Sequence, residues 1–127
     1  MSKWWEDDEQ RERDEVKEKG KTKELDLERF FAREVKKAGM RTEKWRAYDR
    51  RGVPDRVVFS NKGIILVELK TETGRVSKAQ ELLHRQLSEQ YGIPVFILYG
   101  VRGISRWINY MLTTKGPVKY TTPAHIK

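Results

Sequence analysis

Cysteine is absent from the 127 residues, which removes disulfide frameworks, thiolate zinc sites and thiol nucleophiles at once. Also missing is any apolar run approaching the about 20 residues that a membrane-spanning helix needs. The N-terminus is charged where a secretory leader would be apolar. A soluble intracellular protein without a membrane partner is therefore expected. Acidic side chains, finally, are scarce after residue 24. The first 24 residues hold seven Lys/Arg against nine Asp/Glu, whereas residues 25–127 hold twenty against ten. A compact body with that cationic excess attracts polyanions, because neutralising backbone phosphates releases condensed counterions and steers encounter over long range. Nucleic acid is the first partner to consider.

The length accommodates one domain with a modest core. Residues 1–24 are a charged arm of mixed sign with almost nothing apolar to bury, so the arm cannot offset its own ordering entropy. Trp4 and Trp5 lie within it, an aromatic pair suited to docking on a partner or to a frayed terminus. Residues 25–112 carry the periodic pattern of a folded domain, and residues 113–127 read as a loose basic tail.

Within the body, Leu25, Leu27, Phe30, Phe31, Ala32, Val35 and Ala38 have helical spacing, stopped by Gly39. At 100° per residue Glu28 falls between Ala32 and Val35, inside the apolar arc. A carboxylate there needs an ionic partner or a metal, or it must reach water from the edge of the stripe. Met40 to Tyr48 reads as a strand, followed by the basic turn Asp49-Arg50-Arg51-Gly52. A hairpin then joins Arg56–Ser60 to Ile64–Lys70 through residues 61–63. Ser77 opens a second helix with Gln80 at capping-box spacing, and Leu82, Leu83, Leu87 and Tyr91 mark its buried side. Ile93 to Tyr99 is a short buried strand. Ile104, Trp107, Ile108, Met111 and Leu112 fit a third helix. The expected fold is α/β or α+β: an αβββαβ mixed sheet flanked by helices, with an additional C-terminal helix.

Chemistry enters on the third strand. Alternation places Ile64, Leu66, Glu68 and Lys70 on one face, so the acid and the lysine are neighbours where apolar packing gives way. Asp55 opens the preceding strand, and an antiparallel hairpin brings that start beside this end. Hydrolysis of a phosphodiester requires a cation to screen developing charge, a deprotonated water and its alignment with the leaving oxygen. Asp55 and Glu68 supply hard oxygens of the kind that hold Mg²⁺ or Mn²⁺, the Leu69 carbonyl adds a third, and Lys70 can orient the water. Glu-x-Lys alone is equally a surface ion pair of less than about 1 kcal/mol. The conjunction of motifs is what gives the pair meaning.

That conjunction, Gly52-Val53-Pro54-Asp55-Arg56, then Val67-Glu68-Leu69-Lys70, then Ser77-Lys78-Ala79-Gln80, resembles the signature of the VRR-NUC branch of the PD-(D/E)xK nucleases, over roughly residues 24–100. The resemblance implies a restriction-endonuclease-like core and a divalent-metal endonuclease. Small stand-alone phage members of the family are dimers acting on branched DNA such as four-way junctions. It further implies that Asp55 and Glu68 are metal ligands, Lys70 is the catalytic lysine and Gln80 an accessory residue, and that Glu28 joins the active-site carboxylates, on a second cation or its water. Lys44 matches a basic residue of the family's first strand. Gln80 is also the N3 member of the capping box, and both roles are compatible.

Arg50, Arg51, Arg56 and Arg75 surround these motifs and are candidates for holding phosphate, while His84, one turn after Gln80, reads as a helix-surface residue. The expectation is a Mg²⁺- or Mn²⁺-dependent endodeoxyribonuclease without a nucleotide cofactor, a homodimer on branched DNA, working in the bacterial cytoplasm if phage-encoded. A non-catalytic DNA-binding protein on the same fold, or the nuclease subunit of a larger restriction or packaging machine, is the alternative.

Overall fold

The computed structural model describes residues 24–118 and 122–127. The charged arm up to residue 23, with Trp4 and Trp5, lies outside the described residues. The elements are α1 (Glu24–Lys37), β1 (Arg41–Lys44), β2 (Arg56–Ser60), β3 (Gly63–Lys70), α2 (Lys78–Arg85), β4 (Val95–Tyr99), α3 (Gly100–Thr113) and β5 (Ala124–Ile126). The five strands form one sheet in sequential order. β1, β2 and β3 pair antiparallel, and β3, β4 and β5 pair parallel. It is the mixed sheet flanked by helices that the hydrophobic pattern predicts, with one strand more.

α1 and α3 lie against each other and cover one face of the sheet. Leu27, Phe31 and Val35, spaced by four, are wholly buried against Ile65, Val67 and Leu69 of β3. Trp107 of α3 joins the two layers, its ring 5.5 Å from Phe31 and edge-on to Phe96 at 6.0 Å. The other face is smaller. Leu66, Val95, Ile97 and Tyr99 pack there with Trp45, Val57, Val76, Leu87 and Ile93. β3 and β4 are thus covered on both faces, which explains their nearly unbroken apolar sequences.

Four sequence expectations change. The first strand stops at Lys44 instead of continuing to Tyr48. Its last paired residue is Lys44, opposite Arg56, and the turn at Tyr48 and Asp49 lies beyond the sheet. The chain leaves the sheet after the Trp45 N–H donates to the Asp55 carbonyl at 3.0 Å. Second, the buried side of α2 is Leu83, His84 and Ser88, while Leu82 and Tyr91 are exposed. Leu82 lies 100° off that stripe, and a π-helical turn over Gln86–Gln90 rotates position 91 away from it. Third, Leu112 near the end of α3 is likewise exposed.

The fourth change concerns the segment read as a loose tail. Val118 is buried and its N–H donates to the Lys62 carbonyl, and Ala124–Ile126 adds β5 to the edge of β4. The Tyr99 hydroxyl and His125 Nδ1 share a hydrogen bond of 2.8 Å across that pair. Three residues of mixed polarity carry no strand periodicity. They are held by the unpaired edge of β4 and by the close approach of α3.

That approach depends on Gly103, where a Cβ would stand 2.5 Å from the Ile126 carbonyl oxygen. Gly103→Ala should accelerate amide exchange in residues 124–126, since backbone has nowhere to yield except by moving β5. The overlap costs about 1–3 kcal/mol, offset in part by about 1 kcal/mol of helix propensity. Unchanged protection in β5 by hydrogen-exchange mass spectrometry would contradict this packing.

Candidate functional site

The hairpin register, with Arg56 opposite Val67, continues by one residue to set Asp55 opposite Glu68. Opposed residues of an antiparallel pair share a face, here the face that α2 covers. The backbone carbonyl of Asp55 faces β1, where it accepts the Trp45 N–H, and its side chain faces the end of β3. Its Oδ2 accepts the Leu69 N–H at 2.8 Å, which fixes the carboxylate beside the end of β3.

Glu68 is 1 % exposed. A carboxylate so deep costs several kcal/mol unless it is neutralised or hydrogen-bonded, and the sequence supplies partners from two elements. Lys70, two residues along the same face, places Nζ 3.4 Å from Glu68 Oε2. Gln80 of α2 donates from Nε2 to the same oxygen at 2.9 Å. Through its Oε1, Gln80 accepts from Lys70 Nζ at 3.2 Å and from the Ser77 N–H at 2.9 Å. Ser77 Oγ accepts the Gln80 N–H in return, completing the capping box. One amide therefore caps the helix and joins acid to lysine.

His84 is the residue whose place the sequence pattern does not reveal. Rather than lying on the surface, it is 0 % exposed, with Nε2 3.9 Å from Glu68 Oε1. The available signal is its i,i+4 relation to Gln80, which puts both on one helix face. Burial pushes its pKa down from 6.5 to about 4; the positive Lys70 and, less, His125 act in the same direction, against the nearby Gly52 carbonyl. Tyr99, opposite Lys70 in the β3–β4 register, has its phenol pushed up by burial and then by the charge of Glu68.

Glu28 is placed differently. Its carboxylate is 3.1 Å from Lys44 Nζ and 3.7 Å from Arg56 Nη1. Arg56 shares the face of Val58 and Val67, so this ion cluster sits at the edge of the α1 side of the sheet, across the strands from Glu68. The edge of the apolar stripe, with ionic partners, is where the side chain resides. Arg56 is mostly buried there, whereas Arg50, Arg51 and Arg75 are exposed.

The structure thus brings Asp55, Glu68, Leu69, Lys70 and Gln80 together and sets Glu28, Lys44 and Arg56 in a second group. Among the described residues no three His, Cys, Asp or Glu side chains gather into a metal-ligating cluster. The donors at the end of β3 suit a hard divalent ion on different terms: two carboxylates and a main-chain carbonyl, for an ion that characteristically takes only one or two carboxylates.

A family model described as the VRR-NUC domain matches residues 1–102. The chain belongs to the VRR-NUC family. No curated protein and no solved structure matches it. As a VRR-NUC protein it contains a nuclease-type domain, with DNA as the partner that such a domain implies. Among the described residues no helix is long and apolar enough to cross a membrane.

The buried imidazole of this VRR-NUC domain has a consequence for stability. The unfolded chain takes up a proton at His84 near pH 6.5 and the folded one only near pH 4, so the stability from keeping it neutral is complete above pH 6.5 and lost as pH falls toward 4. The contribution is roughly 3 kcal/mol. Urea unfolding of the metal-free protein should show a decline over this window that His84→Gln flattens; an identical slope in the variant would contradict the assignment.

Proposed function

We propose that this VRR-NUC protein is a divalent-metal-dependent DNA endonuclease that hydrolyses phosphodiester bonds within the cell, selects branched DNA and acts as a homodimer. The observation that carries the reading is the meeting of Asp55, Glu68 and Lys70 at one end of the β2–β3 hairpin, with Gln80 joining the last two. Asp55 and Glu68 would hold Mg²⁺ or Mn²⁺ with the Leu69 carbonyl. When bound, the ion supplies a Lewis acid that screens the phosphate and acidifies water.

The side chains divide the remaining work. Lys70, its ammonium restrained by Gln80 Oε1 and Glu68, orients the attacking water and offsets charge that builds on the phosphoryl oxygens. Gln80 keeps lysine and glutamate at a fixed separation. Arg50, Arg51 and Arg75 are exposed around the site and hold flanking phosphates, contacts that position the substrate without reading its bases. Glu28 restrains Lys44, whose half-exposed amine remains available to the backbone of the DNA. A branched substrate takes two cuts, and one site in each chain then calls for a two-fold pair with opposed sites.

Incubation with a labelled four-way junction, a flap and a linear duplex in Mg²⁺, Mn²⁺ or EDTA tests the proposal. Cleavage should require the divalent ion and favour the branched substrates. Lys70→Ala should lower the rate by at least about a hundredfold while leaving junction affinity within about twofold, and Asp55→Asn should abolish metal-dependent cutting. Binding without cleavage in every divalent metal would make the protein a non-catalytic DNA-binding member of its fold.

A further inference from the structure

The connection from Lys44 to Asp55 carries a feature that the hydrolytic chemistry does not use. Tyr48, at the tip of its turn, is 101 % exposed, whereas no other large apolar side chain among the described residues exceeds 64 %. Arg46, Arg50 and Arg51 lie within three residues of it along the chain, all exposed, as is Asp49. Several cations elsewhere are paired, Lys37 with Glu34, Arg41 with Glu43, Lys44 and Arg56 with Glu28, Arg85 with Glu89, while Arg75 and Lys78 beside the site are in no ion pair among the described residues. Among those residues Arg46, Arg50 and Arg51 likewise have no acidic partner.

Both ends of the connection are fixed to the site. The Trp45 N–H is bonded to the Asp55 carbonyl, and the Trp45 ring packs on the face that bears Glu68. At the far end Gly52 takes a φ of +93°, with its Cβ position 3.1 Å from the Ala79 carbonyl oxygen at the start of α2, and Pro54 is buried. The aromatic tip is therefore presented from an anchored base one residue before the proposed metal ligand Asp55. A solvated phenol ring gains nothing for the fold. In a turn that carries three exposed arginines against the single acid Asp49, it matches a nucleotide chain, with phosphates on the arginines and a base face on the ring.

We propose that Tyr48 stacks on an unpaired or unstacked base beside the cleaved phosphodiester, with Arg46, Arg50 and Arg51 gripping the adjoining phosphates. A base within an intact duplex has both faces covered by its neighbours, so the contact is open only at branch points, gaps and single-stranded ends. The inference rests on the nuclease reading and assigns its selectivity for branched DNA to one side chain.

The test is binding of the full-length protein to a four-way junction, a single strand and a linear duplex, followed by fluorescence anisotropy in EDTA so that no cutting occurs. Tyr48→Ala should weaken binding to the junction and the single strand about tenfold, within the range of one base–aromatic stack, with duplex affinity unchanged. Tyr48→Trp should retain wild-type affinities. Replacing Arg50 and Arg51 by Gln should weaken all three and, on duplex, reduce the salt slope by roughly 0.9 for each phosphate no longer neutralised.

Equal binding of wild type and Tyr48→Ala to every substrate would overturn the proposal, as would an equal loss on duplex. A change of oligomeric state in Tyr48→Ala by analytical ultracentrifugation would overturn it as well, by making the tip a subunit contact. None of these results bears on whether Mg²⁺ or Mn²⁺ supports cleavage, so failure of the stacking assignment and failure of the nuclease reading remain separable.

Discussion

A carboxylate nearly sealed from water at the end of the central strand sets the terms for everything around it. Glu68 is flanked on its own strand by buried apolar residues, and its charge has to be met by groups brought to it. Lys70 comes from the pleat and Gln80 from the first turn of α2. Gln80 is held in turn by its own helix cap, and Asp55, at the start of the neighbouring strand, is fixed by the Leu69 N–H. The site is preorganised because the fold must satisfy Glu68 before any substrate arrives.

The same constraint explains the unusual face of α2. A helix packed on a sheet normally presents an apolar stripe, yet the side that meets β3 carries Gln80, His84 and Ser88 as well as Leu83 and Leu87. Gln80 and His84 lie where the sheet offers Glu68 and Lys70, and Leu87 lies where it offers Leu66 and Ile97. At these positions polar side chains of the helix meet polar ones of the strand, and apolar meet apolar. Neutral His84 fits this arrangement: a second positive charge beside Lys70 in a buried space would be unfavourable, and burial already disfavours it.

Legibility in the sequence follows the strength of local signals. The β2–β3 hairpin is readable from alternation and the Asn61-Lys62-Gly63 turn, the cap of α2 from Ser77 and Gln80, and the convergence of Asp55, Glu68 and Lys70 from strand register alone. Periodicity of apolar residues cannot show what non-local contacts decide. β5 exists through pairing with β4, and its three residues carry no pattern of their own. A stripe drawn through the leucines misplaces the inner face of α2, because a polar neighbour on the sheet selects polar residues there. Glu28 is legible as an acid against an apolar face, but its partners, Lys44 and Arg56, depend on the register between the first two strands.

Whether a divalent ion enters among Asp55, Glu68 and the Leu69 carbonyl is best measured by titrating trace Mn²⁺ into isotope-labelled protein and following paramagnetic broadening of backbone amides. The amides of residues 55 and 68–70 should broaden first and recover on addition of excess Mg²⁺, with those of residues 124–126 unaffected at the same ratio. Broadening centred on Glu28, or spread evenly over the acidic surface, would contradict the account.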